Sequence, residues 1–225
     1  GSGSPATRAV ANLVLLDNRF ASVPEIVGEG RRVIANVERL ASLFLTKTTW
    51  AIVLAVAFGV TFWEFPFLPR QLSAIDGFTI GIPAFLLALL PNQKRYEKGF
   101  LKRSLMFCVP AGLITGFAVI GLAALVRSDA SWSQPQAQTA TAILLSVTGL
   151  WVLASLARPL NRTKFAIMAF MTVLAAGMFT LPITTEFFGF VYLETGKLGT
   201  ALVMGALASV LIAIVSKLVK RQSTY

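Results

Sequence analysis

Long apolar runs separated by short polar connectors dominate the hydrophobic pattern of this chain. The hydrocarbon core of a bilayer is about 30 Å thick, and an α-helix needs about 20 residues to cross it. Six windows of that length are present, and the connectors between them carry charges or proline. They are residues 40–63, 72–90, 105–126, 139–157, 165–184 and 198–215. The pattern therefore predicts an all-α membrane protein with six transmembrane helices.

A long helix is predicted to lead into the first window. Ser22 and Glu25 have the spacing of a capping box, and Pro24 is tolerated in a first helical turn. A helix from about Val23 to about Phe62 would be on the order of 60 Å long. It would cross the bilayer and project into the cytosol as a push-rod, or it is simply a capped juxtamembrane helix.

The segment before that helix has a different pattern. Residues 9–16 (AVANLVLL) are typical of a short buried strand, since they are apolar and bounded by turn formers. Asp17 and Asn18 are typical of the turn that ends such a strand.

The composition excludes several classes of protein. Hydrophobic residues make up 56% of the 225 residues and charged residues 13%, which is too apolar for a soluble domain. The chain has no histidine, so Ser-His-Asp chemistry and the commonest zinc ligand are excluded. Its single cysteine, Cys108, has no partner for a disulfide.

The net charge of +10 follows the membrane topology and does not indicate nucleic-acid binding. Basic residues cluster at alternate ends of the six windows, which by the positive-inside rule places both termini in the cytosol. On the cytosolic side we count Arg8, Arg19, Arg31, Arg32, Arg39, Lys94, Arg95, Lys98, Lys102, Arg103, Arg158, Arg162, Lys164, Lys217, Lys220 and Arg221. The other side has Arg70, Arg127 and Lys197.

Two charged residues fall inside predicted spans. Lys47 lies in the first window and Asp76 in the second, and a charge within a span costs roughly 2.5 to 3.5 kcal/mol on insertion scales. The second window also holds Gly77, Gly81 and Pro83, which let a membrane helix unwind and expose carbonyl oxygens. Together these residues predict a site for a hard cation. Alternatively, Lys47 extends to the cytosolic interface and Asp76 lies near the outer one.

Several segments resemble P-type ATPases, the cation pumps that cycle through an aspartyl phosphate. Residues 1–8 (GSGSPATR) and 12–17 (NLVLLD) are similar to the end of their phosphorylation domain, which makes the opening GSGS native. Residues 30–36 (GRRVIAN) resemble the stalk that leads into their fifth membrane helix. Residues 76–83 (DGFTIGIP) and 90–92 (LPN) resemble their sixth helix and its exit. Bacterial, especially actinobacterial, metal-cation pumps are the most similar in character.

The resemblance implies a domain division and a topology. Residues 1–21 would end the cytosolic phosphorylation domain, as a remnant of a soluble α/β fold, and residues 22–39 would form the stalk. Residues 40–217 would be membrane helices five to ten, and residues 218–225 a cytosolic tail. The protein would be a multi-pass protein of the plasma membrane.

The resemblance also implies ion ligands. Asp76 and Thr79 fall on the asparagine and threonine of the calcium-pump pattern Asn-x-x-Thr-Asp-Gly-x-Pro, whereas Ile80 replaces its acid. Thr48 falls on a ligand position of the fifth helix. Lys47 resembles a built-in counter-charge that pairs with Asp76 once the ion leaves. Gly81 to Pro83 contain no Cys-Pro-Cys element, which disfavours copper and zinc.

Parts of such a pump are missing from these residues. The motifs DKTGT, TGES and GDGVND do not occur, so ATP and magnesium would act elsewhere in an intact parent, and no cofactor is expected on this chain. We expect lipid, the transported cation and an amino-terminal half as partners. The favoured function is the ion-conducting half of a cation-pumping ATPase, with calcium first and magnesium or a monovalent cation next. Alternatives are a passive six-helix channel or secondary carrier, and a non-catalytic membrane module.

Overall fold

The computed structural model describes residues 3–16, 19–90 and 99–222, with side chains as far as residue 219. Within these ranges the chain forms α-helices joined by short loops. The helices are α1 (Pro5–Val10), α2 (Val23–Thr61), α3 (Pro69–Asp76), α4 (Ile82–Ala88), α5 (Phe100–Ser128), α6 (Gln134–Ala157), α7 (Arg162–Thr180), α8 (Pro182–Phe188) and α9 (Thr195–Gln222). A 3₁₀ turn (Phe20–Ser22) precedes α2, and a π-helical segment (Gly77–Gly81) joins α3 to α4.

Six helical stretches are long and apolar enough to cross a membrane, which confirms the predicted fold class. They are Phe20–Thr61, Pro69–Ala88, Phe100–Ser128, Gln134–Ala157, Arg162–Thr180 and Thr195–Val219. We call Pro69–Ala88 the second span. The fifth stretch ends at Thr180, four residues earlier than predicted, because Pro182 occupies the first turn of the separate helix α8. Proline has no backbone N–H and is well suited to a helix start.

Helix α2 confirms the long rod predicted to enter the membrane, although its start differs in detail. It has 39 residues, from Val23 to Thr61, which correspond to about 58 Å. The predicted capping box is wrong, since the Ser22 side chain makes no capping hydrogen bond. Ser22 ends the 3₁₀ turn with helical backbone angles, whereas a capping residue needs extended ones.

The predicted strand at residues 9–16 is also wrong. Residues 5–10 form α1 and residues 11–16 are irregular, so the described residues contain no strand. The apolar side chains of Val10, Leu13 and Leu16 are exposed. A strand needs a neighbouring strand for its backbone hydrogen bonds, and this part of the chain has none. The turn predicted at Asp17 and Asn18 lies outside the described residues.

The bundle is built around α6, the most buried of the six stretches, while α7 is the least buried. Helix α2 packs most extensively against α5, where Gly112 and Gly116 allow close approach. A Cβ atom added at Gly112 would lie 2.8 Å from the carbonyl oxygen of Thr46, and one at Gly116 would lie 2.9 Å from Val53 Cγ1. Small residues at such crossings are the usual means of packing helices within lipid.

Side-chain contacts define two ends of the bundle. Asn36 contacts Ala88 and Ser42 contacts Ser104 at one end, whereas Lys197 contacts Ser131 and Gln134 contacts Glu64 at the other. The first end, the basic end, carries the described residues Arg31, Arg32, Arg39, Lys102, Arg103, Arg158, Arg162, Lys164 and Lys217. The second, the aromatic end, carries Arg70, Arg127 and Lys197 with Trp63 and Trp132.

Candidate functional site

The two charged residues predicted inside the membrane form an ion pair in the structure. Lys47 Nζ, on α2, donates a hydrogen bond to Asp76 Oδ2, at the last residue of α3. Both side chains are partly buried. Pairing lowers the cost of holding each charge among apolar residues. The contact therefore joins the long rod of α2 to the middle of the second span.

The second span changes its helical form immediately after Asp76. From Gly77 to Gly81 the backbone is π-helical, and the Ile82 N–H donates to the carbonyl of Gly77, five residues earlier. Pro83 follows at the second position of α4 and has no N–H for the carbonyl of Thr79, four residues before it. Gly77 and Gly81 thus lie in a widened stretch of a continuous helix and Pro83 just after it, a feature frequent at functional sites, and the predicted exposure of carbonyl oxygens there stays a prediction.

A small cavity of about 30 Å³ lies beside the ion pair. A water molecule needs roughly 10–15 Å³ by this measure, so the space suits one or two waters or a small ion. Its walls come from α2, the second span, α5 and α6. They are formed by Leu43, Thr46, Lys47, Trp50, Ile75, Asp76, Thr79, Ile80, Thr115, Leu145, Gly149 and Val152.

Three buried threonines contribute the hydroxyl groups of this cavity. Thr46, Thr79 and Thr115 each donate to the carbonyl oxygen four residues earlier, at 2.9, 2.7 and 2.9 Å. Because each hydroxyl proton is used within its own helix, the oxygen lone pairs remain for another partner. A carboxylate and three hydroxyl oxygens from separate elements are ligands that suit a hard cation.

Thr48 does not join this cluster. It is exposed and does not line the cavity, whereas Thr46 on the same helix does. Successive helical residues are rotated by about 100°, so two residues separate opposite faces of α2. The structure brings together Lys47, Asp76 and Thr79 of the predicted site, and it adds Thr46 and Thr115, which the sequence did not single out.

Gly149 of α6 allows the second span to come close to the bundle core. A Cβ atom at this position would lie 2.8 Å from Cγ2 of Thr79, and a β-branched side chain has little freedom to move away. Glycine therefore keeps α6 in contact with the π-helical segment. The sequence offered no signal for this role beyond a glycine within an apolar window.

Among the residues that the structure describes, Asp76 contributes the only acidic group that lines the cavity. Within the described ranges, no three or more His, Cys, Asp or Glu residues are grouped as a metal cluster. A cation held here would depend on one carboxylate together with neutral oxygens, and Lys47 would compete with it for that carboxylate.

Comparison with known proteins finds related transporters. The chain is 47% identical over 201 residues to the calcium-transporting ATPase CtpE of Mycobacterium bovis, a match of 84% of this chain and 25% of that protein. It is 43% identical over 201 residues to the calcium-transporting ATPase CtpE of Mycolicibacterium smegmatis, a match that again covers 84% of this chain and 25% of that protein. The probable cation-transporting ATPase exp7 of Streptococcus pneumoniae is 39% identical over 155 residues, 65% of this chain and 20% of that protein. No protein-family model matches the chain.

These matches confirm the resemblance that the stalk and second-span motifs indicate. The chain spans about a quarter of the length of the two CtpE proteins. About three quarters of the residues of each relative lie outside the matched region.

Proposed function

This chain belongs to the P-type cation-transporting ATPase family, and we propose that it forms the ion-conducting membrane part of an ATP-driven cation pump. The observation that carries the proposal is the pairing of Lys47 with Asp76 next to the π-helical segment. A charged pair beside a weakened helix and a cavity lined by hydroxyl groups is a site that an ion can enter by displacing the lysine. The six membrane-crossing stretches supply the surrounding bundle.

Calcium is the proposed substrate, with magnesium or a monovalent cation as the next choices. Calcium takes six to eight oxygen ligands. Asp76, Thr79, Thr46 and Thr115 would supply side-chain oxygens. Water and parts of the pump outside this chain would complete the ligand set. The two CtpE relatives, which match 84% of this chain, are named calcium-transporting ATPases, which supports calcium over the alternatives.

ATP and its magnesium ion would act in parts of the intact protein outside these residues. None of the phosphorylation, dephosphorylation or hinge motifs occurs in the chain, so this chain would contribute the ion pathway and α2 would transmit movement to it. The basic end would face the cytosol by the positive-inside rule, with both termini there. The plasma membrane is the proposed location, and membrane lipid and an amino-terminal half are the proposed partners.

Ion transport by the intact protein tests this function. Reconstituted in liposomes, it is expected to move calcium when ATP is present and not when ATP is omitted. The same transport measurement with magnesium or potassium in place of calcium shows which of these ions the protein moves. Liposomes with this chain alone provide the control, and we expect no ion flux through them. Calcium flux through the chain alone without ATP would instead indicate a passive channel or carrier.

Lys47→Ala is expected to raise the apparent calcium affinity of the intact pump. Removing the ammonium group leaves Asp76 without its competing partner, and an interaction between unit charges a few Å apart corresponds to about 1 to 4 kcal/mol. The calcium concentration for half-maximal ATP hydrolysis should therefore fall by about fivefold or more. Dephosphorylation should slow, because nothing neutralises Asp76 after the ion has left.

Lys47→Arg is the control, since it keeps a positive charge at the same position. We expect its calcium affinity to stay closer to that of the wild type than that of Lys47→Ala. Equal calcium affinities for wild type and Lys47→Ala would show that the ammonium does not compete with the ion.

A further inference from the structure

A second polar contact joins α2 to the second span, on the basic side of the Lys47–Asp76 pair. The Asn36 side chain is only 8% exposed. Its Nδ2 donates to the carbonyl oxygen of Ala88 at 3.1 Å, and its Oδ1 accepts from Arg39 Nη1 at 3.3 Å. Ala88 is the last residue of α4. The amide of Asn36 is thus held from both sides and fixes α2 to the end of the second span.

The acceptor in this contact, the Ala88 carbonyl, lies in the last turn of α4, where carbonyl groups have no hydrogen-bond donor within the helix. The last four carbonyl groups of an α-helix have no donor within the helix, and the carboxyl-terminal end carries a partial negative charge. Asn36 supplies a donor to one of these carbonyls, and Arg39 orients the amide so that its N–H group faces α4. Among the described residues, Asn36–Ala88 and Lys47–Asp76 are the side-chain hydrogen bonds that link α2 to the second span.

The two contacts lie on either side of the weakest part of the second span. On α2, Asn36 and Lys47 are eleven residues apart, about 16 Å along a rigid helix. On the second span, the contacted residues Asp76 and Ala88 enclose the π-helical segment and Pro83. A movement of α2 relative to this span therefore deforms the segment between the two attachment points.

We propose that Asn36 is a positioning residue that couples movement of α2 to the ion site, and this inference rests on the proposed function. When a cation occupies Asp76, Lys47 gives up its contact, and the Asn36–Ala88 hydrogen bond becomes the polar link that still ties α2 to the second span. Displacement of α2 then reaches Thr79 and Asp76 through α4. Asn36 does not line the cavity, so it would affect release of the ion rather than its equilibrium binding.

Asn36→Asp in the intact pump tests this role. The change preserves the size of the side chain and its acceptor toward Arg39 but removes the donor to Ala88. We expect turnover at saturating calcium to fall about fivefold, the order of magnitude of one net hydrogen bond. The calcium concentration for half-maximal hydrolysis should stay within about twofold, since the ligands are unchanged. Asn36→Ala removes both hydrogen bonds without adding charge. It should likewise lower turnover while leaving the half-maximal calcium concentration nearly unchanged.

Asn161→Asp provides the matched control. Asn161 accepts from the Lys164 N–H at the start of α7, also at the basic end, and aspartate serves equally well in that capping position. Its turnover and calcium dependence should both match the wild type. Thermal unfolding midpoints of the wild type, Asn36→Asp, Asn36→Ala and Asn161→Asp then show whether any loss of turnover reflects a loss of folded protein.

The outcomes separate this inference from the proposed function. Wild-type turnover in both Asn36 variants would overturn the coupling role while leaving the pump intact. A raised half-maximal calcium concentration at unchanged turnover would overturn it as well, because Asn36 would then act on the site itself. A wild-type protein without ion-stimulated ATP hydrolysis would overturn the proposed function, and the coupling role with it.

Discussion

Asp76→Asn is expected to abolish calcium-stimulated ATP hydrolysis by the intact pump at calcium concentrations that saturate the wild type. Within the described part of the chain, Asp76 is the only acidic residue that lines the cavity, and asparagine replaces its negative charge with a neutral amide of the same shape. Loss of groups that merely support a metal ligand costs about 10- to 100-fold in affinity. Loss of the charged ligand should therefore raise the half-maximal calcium concentration by at least about 100-fold.

A control is needed because the substitution also leaves Lys47 without its carboxylate partner. Removing one member of a buried pair destabilises a protein by about 3–5 kcal/mol, and by less here since both side chains are partly exposed. The double variant Lys47→Ala/Asp76→Asn has no unpaired charge at this place. It should recover the thermal stability of the wild type but not its calcium affinity. Unchanged calcium dependence in Asp76→Asn would remove this residue from the proposed ligands.

Gly112→Ala is expected to lower the stability of the membrane bundle more than any other glycine-to-alanine change in α5. The new methyl carbon would lie 2.5 Å from Thr49 Cβ and 2.8 Å from the backbone carbonyl oxygen of Thr46. Neither atom can move without moving α2, so the two helices must separate. Overpacking of this kind costs about 1–3 kcal/mol and occasionally more. The loss should appear as a lower free energy of unfolding and a lower thermal midpoint in detergent.

Gly121→Ala in the same helix is the matched control. There the nearest atom to a new methyl group is the Met204 Cε, at 3.5 Å, which is an ordinary contact with a flexible side chain. Both variants gain the same helix propensity, about 1 kcal/mol relative to glycine, so the difference between them isolates the clash. Equal stabilities for the two variants would show that α2 and α5 do not approach as closely as described.

Gly112→Ala also connects stability with ion binding. The carbonyl that the methyl group meets belongs to Thr46, whose hydroxyl lines the cavity. Separation of α2 from α5 would move this hydroxyl away from Thr115 on the other side. A change of calcium affinity in the folded fraction of Gly112→Ala would therefore support Thr46 and Thr115 as members of the site.

Different parts of the fold and site were predictable to different extents. The six membrane helices follow from apolar length alone, because the bilayer sets that length. Lys47 and Asp76 were visible because charges are rare within such windows. The strand predicted at residues 9–16 is wrong because its formation depends on a partner elsewhere in the chain and not on local sequence. An apolar run favours a strand only where a neighbouring strand completes its hydrogen bonds, and the described residues offer none.

The rotation of α2 explains the placement of Thr48. The sequence shows that residues 46–49 (TKTT) are polar within an apolar window, but it does not say which of them faces the second span. The packing of α2 against Gly112 and Gly116 sets that rotation. As a result Thr46 faces the cavity, whereas Thr48 is exposed.

By itself the sequence determined the class of protein, the number of membrane helices, the long α2 and the two charges within the predicted spans. It also indicated a weak point at Gly77, Gly81 and Pro83. The resemblance already implied that Lys47 pairs with Asp76. The tertiary structure alone decided that Thr46 and Thr115 complete the cavity and that Asn36 reaches Ala88. The physical reason is that apolar length and local backbone preference are properties of neighbouring residues. Contacts between residues dozens of positions apart depend instead on how closely, and at what rotation, the helices pack.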